Sequence, residues 1–227
     1  MVDVYLIKIP SDEKEKEDFF SDNAHLLPKA LVKKLSDTKD TATKYERLYS
    51  YTLLRCALKE YGVSDKNLCE SLSFNENGKP FLSDFDVGFS LSHTNGLAAV
   101  AVIRDGQIGT DVEKINFEKE EKLKKITARF CKDNSFEANS KSFAKKYLVG
   151  ISRGCLYKTE ISSGLPKNEN GAFVKWTALE SVLKYIGGGF SCINDAGKYL
   201  NGIAVESTLI SFDGNEYALS VAVTNFG

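Results

Sequence analysis

The stretch 88–115, GFSLSHTNGLAAVAVIRDGQIGTDVEKI, decides the fold class of this chain. Three apolar runs follow one another within it, and the turn dipeptides Asn95-Gly96 and Asp105-Gly106 separate them. Short apolar runs bounded by turns are typical of successive β-strands. The sequence therefore predicts a β-sheet in the middle of the chain.

The third run of this stretch, IGTDVEKI, carries two carboxylates at strand spacing. Side chains at i and i+2 of a strand point to one face, so Asp111 and Glu113 would lie together. Mg²⁺ prefers oxygen ligands and usually combines a few carboxylates with phosphate oxygens and water. Taken alone, the same pattern also fits a solvated strand edge, which is the commoner arrangement.

Helical and strand patterns alternate on both sides of this central sheet. Strands are predicted at 2–9, 202–212 and 216–225. Short strands are also predicted on both sides of a hairpin turn at Asn77-Gly78. Helices are predicted at 44–61, 117–130 and 173–186. The polar stretch 131–172 has weak periodicity, and we expect it to form a mobile loop.

A helix followed by a group of three strands is predicted twice, at about 44–103 and 173–224. This repetition suggests a structural duplication, although the two halves share little sequence identity. The expected fold class is α+β, with an N-terminal lobe over 1–105 and a C-terminal lobe over 106–227.

Composition excludes several classes of protein. The chain has 227 residues, 42% hydrophobic and 27% charged, which is typical of a globular protein and not of a disordered one. Its formal net charge of -1 provides no overall basic field for a nucleic acid. The longest apolar run, 97–103, is far shorter than the roughly 20 residues that span a bilayer, so we expect no membrane segment.

The cysteines and the N-terminal segment indicate a cytoplasmic protein. Five scattered cysteines lack the C-x-x-C spacing of a zinc or redox site, and we interpret them as reduced thiols that pack in the core. The segment MVDVYLIKIPSDEKEKEDFF has an acid, Asp3, where a signal peptide has positive charge. No export signal is expected.

Two further stretches place polar side chains close together. In WTALESVLK, residues 176–184, Glu180 and Lys184 are four apart and share one face of a helix. In FSLSH, residues 89–93, Ser92 and His93 end an apolar strand. Taken singly, a surface ion pair and a structural histidine are the commoner explanations of these residues.

Together and in this order, the motifs resemble those of a known enzyme family. The run GKPFL at 78–82, then FSLSH, then IGTDVE, then W-x-x-x-E-S-x-x-K is similar to the 4′-phosphopantetheinyl transferases of the long, surfactin-type class. The similarity covers roughly residues 44–190. It implies two similar α/β lobes related by a pseudo-twofold axis, coenzyme A in the cleft between them, and a monomeric protein.

The family transfers the 4′-phosphopantetheine arm of coenzyme A to a serine of an acyl or peptidyl carrier protein and releases adenosine 3′,5′-bisphosphate. By resemblance, Asp111, Glu113 and Glu180 would hold Mg²⁺ against the pyrophosphate. Lys184 and His93 would contact phosphate oxygens, with Ser92 beside them. The remaining contacts with coenzyme A would fall on Lys79 and Pro80 at the adenine end, and on Arg47, Arg55 and Lys33 at the 3′-phosphate.

The resemblance also assigns the chemistry. The carrier protein supplies the nucleophile, so this chain needs no nucleophile elbow of its own. Glu180, directly or through a metal-bound water, is the family's candidate for general base, and Lys184 and His93 are the other expected catalytic residues. The sequence departs from the family at Leu179, where the family has lysine; Lys175, one turn earlier, is a candidate substitute.

An acidic carrier protein would bind to a surface of this chain that combines basic and apolar residues. The candidates are Lys122, Lys124, Lys125, Arg129 and Phe190. The lysines also fit a simple solvated helix. Two other functions stay open: a coenzyme A or carrier-protein binding module that has lost turnover, and a metal-dependent phosphohydrolase or nuclease that uses the same acids.

Overall fold

The computed structural model describes residues 1–130, 142–152, 155–161, 171–193 and 202–224. Its α-helices are α1 (Glu13–Asn23), α2 (Lys29–Ser36), α3 (Thr41–Glu60), α4 (Asp65–Ser71), α5 (Phe117–Phe130) and α6 (Gly171–Ile186). Its strands are β1 (Val2–Lys8), β2 (Leu72–Phe74), β3 (Pro80–Leu82), β4 (Val87–Thr94), β5 (Leu97–Arg104), β6 (Ile108–Lys114), β7 (Ala144–Ser152), β8 (Cys155–Glu160), β9 (Ile203–Phe212) and β10 (Asn215–Thr224). Together they form the expected α+β architecture.

The first sheet has the strand order β4-β5-β1-β7-β8. Its central strand β1 runs antiparallel to β5 and parallel to β7. Successive residues of β1 are buried on both faces: Val4 and Leu6 on one, Tyr5 and Ile7 on the other. A strand covered on both faces has a nearly continuous apolar sequence, which accounts for the run VYLI at this position.

The second sheet, β6-β10-β9, packs on the first and completes a four-layer arrangement. Val4 and Leu6 of the first sheet share one core with Leu219 and Val221 of β10. Helix α3 covers the outer face of the first sheet, and α6 covers the outer face of the second. The alternation of apolar side chains along β1 and β10 therefore sets the order of the layers.

The same strand order occurs in both halves of the chain. The unit β1-α3-β4-β5 forms the three adjacent strands β4-β5-β1, and the unit β6-α6-β9-β10 forms the three adjacent strands β9-β10-β6, all antiparallel. In each unit, one strand precedes the helix and a hairpin follows it. In the second half, the prediction that three strands follow the helix was wrong, because only β9 and β10 follow α6 among the described residues and the third strand, β6, precedes it. In the first half, the strands β2 to β5 follow α3, but the third strand of the unit, β1, again precedes the helix.

The expectation of a loop over 131–172 was also wrong for part of that stretch. Strands β7 and β8 lie within it, and β7 pairs in parallel with β1. Alternate residues of β7, Tyr147, Val149 and Ile151, pack against the α3 side of the first sheet. The first sheet therefore takes two strands from beyond residue 105, and that position does not separate the two sheets. Residues 131–141, 153–154 and 162–170 of the stretch lie outside the described residues.

Most other elements lie where the sequence predicts them. Helix α3 begins after Asp40, whose carboxylate accepts a hydrogen bond from the N–H of Thr43 (2.7 Å), and the chain turns at Gly62 with a φ of 87°. Cys56 is buried, as a packing role requires, but Cys69 and Cys155 are exposed, so the expectation that the cysteines pack in the core was wrong for these two. No helix in the described part of the chain is long and apolar enough to cross a membrane.

Candidate functional site

The acidic motif lies where the edges of the two sheets meet. Strand β6 is the edge of the second sheet and β4 is the edge of the first. Hydroxyl oxygens of alternate β4 residues accept hydrogen bonds from alternate N–H groups of β6: Ser90 from Thr110 (3.0 Å), Ser92 from Val112 (3.2 Å) and Thr94 from Lys114 (3.2 Å). These contacts satisfy backbone donors on the open edge of β6 and hold FSLSH against IGTDVE.

A glycine in the acidic motif brings helix α6 onto β6. A Cβ at Gly109 would lie 1.9 Å from the carbonyl oxygen of Ser181 and 2.4 Å from the N of Tyr185. Only glycine permits this approach of helix to strand. Because Asp111 and Glu113 follow at i+2 and i+4, their side chains lie on the same α6-facing side.

Asp111 is the centre of the site, with an exposed fraction of 3%. Its Oδ1 accepts hydrogen bonds from the Ser92 hydroxyl (2.8 Å) and from the Lys184 ammonium group (2.7 Å). The Lys184 Nζ also lies 3.0 Å from the Ser92 Oγ. Oδ2 of Asp111 is buried and has no hydrogen-bond partner among the described residues. Three predicted motif residues therefore meet here, and one carboxylate oxygen is left without a partner.

Glu180 faces the same carboxylate from helix α6. Burial, followed by the negative charge of Asp111, raises its pKa to about 8, and Lys184 opposes this shift only in part. Glu113 adds a smaller repulsion; its Oε1 accepts a hydrogen bond from Lys119 (2.8 Å). The three predicted metal-binding acids are therefore close enough to repel one another.

The donor set suits a divalent cation, although the side chains are not arranged as a finished metal site. Among the described residues, no group of three His, Cys, Asp or Glu side chains is placed to hold an ion. Lysine ammonium groups instead contact Asp111 and Glu113. Yet the unpartnered Oδ2 of Asp111 and the raised pKa of Glu180 both indicate a local excess of carboxylate oxygen. Such an excess is the chemistry that Mg²⁺ satisfies.

His93 is oriented by a residue that sequence reasoning missed. Its Nδ1 lies 2.9 Å from Oε2 of Glu46, a residue of helix α3. In the sequence, Glu46 is one of many charged residues on an amphipathic helix, so nothing marked it as functional. The contact holds the imidazole ring on the α3 side of β4, on the opposite face of the strand from the Ser92 side chain.

Lys79 ties the β2–β3 hairpin to the elements of the site. Its ammonium group donates hydrogen bonds to the carbonyl oxygens of Ile108 and Tyr185, both at 3.2 Å. Burial lowers the pKa of Lys79 to about 8. Lys79 and Pro80 also line a cavity of about 310 Å³ together with Tyr185. The GKP motif thus lies at the beginning of β6 and the end of α6.

Two of the three basic residues expected at the 3′-phosphate form hydrogen bonds away from the acidic site, and the third is exposed. Arg55 is buried on α3 and donates a hydrogen bond to Oδ2 of Asp65 (2.7 Å). Arg47 donates to the Thr38 hydroxyl (2.8 Å), and Lys33 is exposed on α2. Arg55 therefore serves an internal ion pair between α3 and α4, which a helical pattern alone could not distinguish from a binding role.

Leu179 belongs to the core and not to the site. Its exposed fraction is 1%, and it packs with Val182 of the same helix and Ala222 of β10. Lys175 is exposed on α6. A lysine at position 179 would therefore be buried in apolar surroundings in this protein.

The expected carrier-protein surface on α5 is only partly described. Lys122, Lys124 and Lys125 are exposed, and Lys124 forms ion pairs with Glu120 (2.8 Å) and Glu121 (3.1 Å). The side chains of Arg129 and Phe190 lie outside the described residues.

Comparisons with known proteins add no family assignment. A scan against protein-family models found no match, and neither did a search of curated proteins. A functional conclusion therefore depends on the arrangement of the residues in this chain.

Proposed function

We propose that this protein is a Mg²⁺-dependent 4′-phosphopantetheinyl transferase that modifies a serine of an acyl or peptidyl carrier protein. One observation carries the proposal: Lys184, Asp111 and Ser92 contact one another within 3.0 Å. These residues come from three motifs that are far apart in the sequence, and the fourth motif reaches the same strand and helix through Lys79. Motifs that matched the family only by chance would not be expected to contact one another in the folded protein.

The topology supports the finer statement about the fold. Each half contributes a strand, a helix and a hairpin with the same strand order. This repetition agrees with the two similar lobes of the family, and the acidic site lies where the edge strands of the two units meet. A chain that contains both lobes is proposed to act as a monomer.

Asp111, Glu113 and Glu180 are the residues that would hold Mg²⁺. Bound there, the ion would neutralise negative charge on the pyrophosphate of coenzyme A as the leaving group departs. Lys184 reaches the same place from α6 and would contact phosphate oxygens as a point charge. His93, oriented by Glu46, would donate a further hydrogen bond to phosphate.

The reaction needs one proton to leave the nucleophile. The carrier serine oxygen attacks the phosphorus that bears pantetheine, and the bond from this phosphorus to the bridging oxygen breaks. Adenosine 3′,5′-bisphosphate leaves with the bridging oxygen. Glu180, directly or through a metal-bound water, is the proposed acceptor of the serine proton, because its carboxyl group faces Asp111 at the centre of the site.

The deciding experiment mixes the protein with Mg²⁺, coenzyme A and an apo carrier protein, and weighs the carrier by intact mass spectrometry. We expect the carrier to gain one phosphopantetheinyl group. Asp111→Ala should lower the rate about 100-fold or more, since it removes the central carboxylate. Asp22→Ala, at an exposed position on α1, is the matched control and should keep the rate.

Other outcomes would favour the alternatives. If neither fatty-acid nor peptidyl carriers gain mass while coenzyme A still binds, the protein is a binding module. Release of adenosine 3′,5′-bisphosphate without modification of a carrier would instead indicate a hydrolase that uses the same acids.

A further inference from the structure

Lys184 places a positive charge against the buried carboxylate of Asp111. Its Nζ lies 2.7 Å from Oδ1 of Asp111. Glu180 and Glu113 add two more carboxyl groups around this pair, as the raised pKa of Glu180 indicates. The ammonium group of Lys184 is therefore a cation already bound to the predicted metal ligands.

The two partners of this ion pair differ in their freedom to move. The side chain of Asp111 is only 4% exposed and is fixed by the hydroxyl of Ser92. The side chain of Lys184 is 32% exposed and ends a flexible four-carbon stem on α6. If the pair separates, the lysine moves and the carboxylate stays in place.

A divalent cation and Lys184 compete for Asp111. A Mg²⁺ ion coordinates oxygen at about 2.1 Å and would be repelled by an ammonium group on the same carboxylate. As the described side chains stand, no three of them are placed to hold an ion. Withdrawal of Lys184 would remove the positive charge from Oδ1, which would keep its hydrogen bond from Ser92, next to the Oδ2 that has no hydrogen-bond partner among the described residues.

We infer that Lys184 is an exchangeable cation, which occupies Asp111 in the free protein and transfers to phosphate oxygens when a diphosphate and a divalent cation bind together. The inference rests on the proposed function for the identity of the diphosphate as coenzyme A. It predicts that each ligand strengthens the binding of the other, because the diphosphate attracts the lysine that blocks the metal ligands. Such a coupling is reciprocal by thermodynamic necessity.

The test measures Mn²⁺ binding, as a spectroscopic substitute for Mg²⁺, from the electron paramagnetic resonance signal of the free ion. Wild type and Lys184→Met are each titrated with and without coenzyme A, and no carrier protein is present. In wild type, coenzyme A should tighten Mn²⁺ binding about tenfold. In Lys184→Met, Mn²⁺ should bind about tenfold more tightly than in wild type without coenzyme A, and coenzyme A should change this affinity by only about twofold.

A charge-matched control separates competition from a general electrostatic effect. Lys114→Met also removes one positive charge, at the residue that follows Glu113 on β6, but leaves the contact on Asp111 intact. The inference is overturned if Lys184→Met binds Mn²⁺ no more tightly than wild type, or if Lys114→Met tightens binding equally. Failure to modify any carrier protein, with these Mn²⁺ results as expected, would overturn the transferase and leave the exchange of Lys184 standing.

Discussion

Two lysine–carboxylate pairs, Lys146–Glu206 and Lys184–Asp111, are built for opposite purposes. Both carboxylates are buried. In the first pair the lysine side chain is 3% exposed, whereas in the second it is 32% exposed. The first pair joins β7 of one sheet to β9 of the other, and the second joins β6 to α6 at the candidate site.

The pairs also differ in how fully their carboxylates are hydrogen-bonded. Glu206 accepts hydrogen bonds from the Ser142 hydroxyl, the backbone N–H groups of Phe143 and Ala144, and the ammonium group of Lys146. Burial acts to raise the pKa of Glu206, but the hydrogen bonds from Lys146 and Phe143 outweigh it, so this pKa lies below its ordinary value. Asp111 keeps one oxygen without a partner among the described residues. A complete pair stabilises the fold, and an incomplete one leaves room for a ligand.

Matched acid-to-amide substitutions should separate the two pairs most strongly. We expect Glu206→Gln to lower the free energy of unfolding by about 4 kcal/mol, because the buried ammonium group of Lys146 loses its counter-charge. Asp111→Asn should change it by less than about 1 kcal/mol, since Lys184 can move into solvent when its counter-charge is removed. Urea unfolding at pH 7 without divalent cations measures both. Equal losses would mean that Asp111 is a structural residue as well.

The close approach of α6 to β6 is what places Lys184 and Glu180 over Asp111. Gly109→Ala should therefore lower the free energy of unfolding by about 3 kcal/mol, since its Cβ would overlap the backbone of Ser181 and Tyr185. The matched control is Gly150→Ala on β7, where a Cβ would meet no atom within 4 Å. Urea unfolding of both variants gives the comparison. A loss in the control as large as in Gly109→Ala would trace the effect to glycine replacement in a strand rather than to the helix contact.

Local spacing was enough to predict which acids share a face. The i+2 relation of Asp111 and Glu113 and the i+4 relation of Glu180 and Lys184 follow from strand and helix geometry, and the structure brings all four together. The apolar runs at 202–212 and 216–225 likewise predicted two strands, and the structure pairs them as the antiparallel strands β9 and β10.

Contacts that depend on tertiary packing were not predictable in this way. Nothing in the local sequence pairs Glu46 with His93, and the family resemblance made Arg55 a binding candidate although it is buried and paired with Asp65. Strand β7 was missed because its alternating residues lie in a Lys- and Ser-rich stretch and pair with β1, which is more than 130 residues earlier. Parallel pairing across such a distance leaves no short-range signal.

The smallest expected effect is on the pH dependence of stability, and it comes from Glu180, the carboxyl group beside the Lys184–Asp111 pair. The pKa of Glu180 is about 8 in the folded protein and 4.5 in the unfolded chain. The folded state therefore binds more protons between these values, and this group's contribution to stability is lost as pH rises towards 8. At pH 9, Glu180→Gln should be more stable than wild type by about 2 kcal/mol, because the amide avoids a buried charge beside Asp111.

At pH 5, where Glu180 is protonated in the folded protein, the two proteins should differ by less than half of that amount. Urea unfolding at both pH values in the presence of a chelator measures the difference, and Glu216→Gln, at an exposed position on β10, is the matched control. A gain in stability that is the same at pH 5 and pH 9 would contradict the raised pKa. It would also argue that the Glu180 carboxyl group is not held beside Asp111, the position on which its proposed role as base depends.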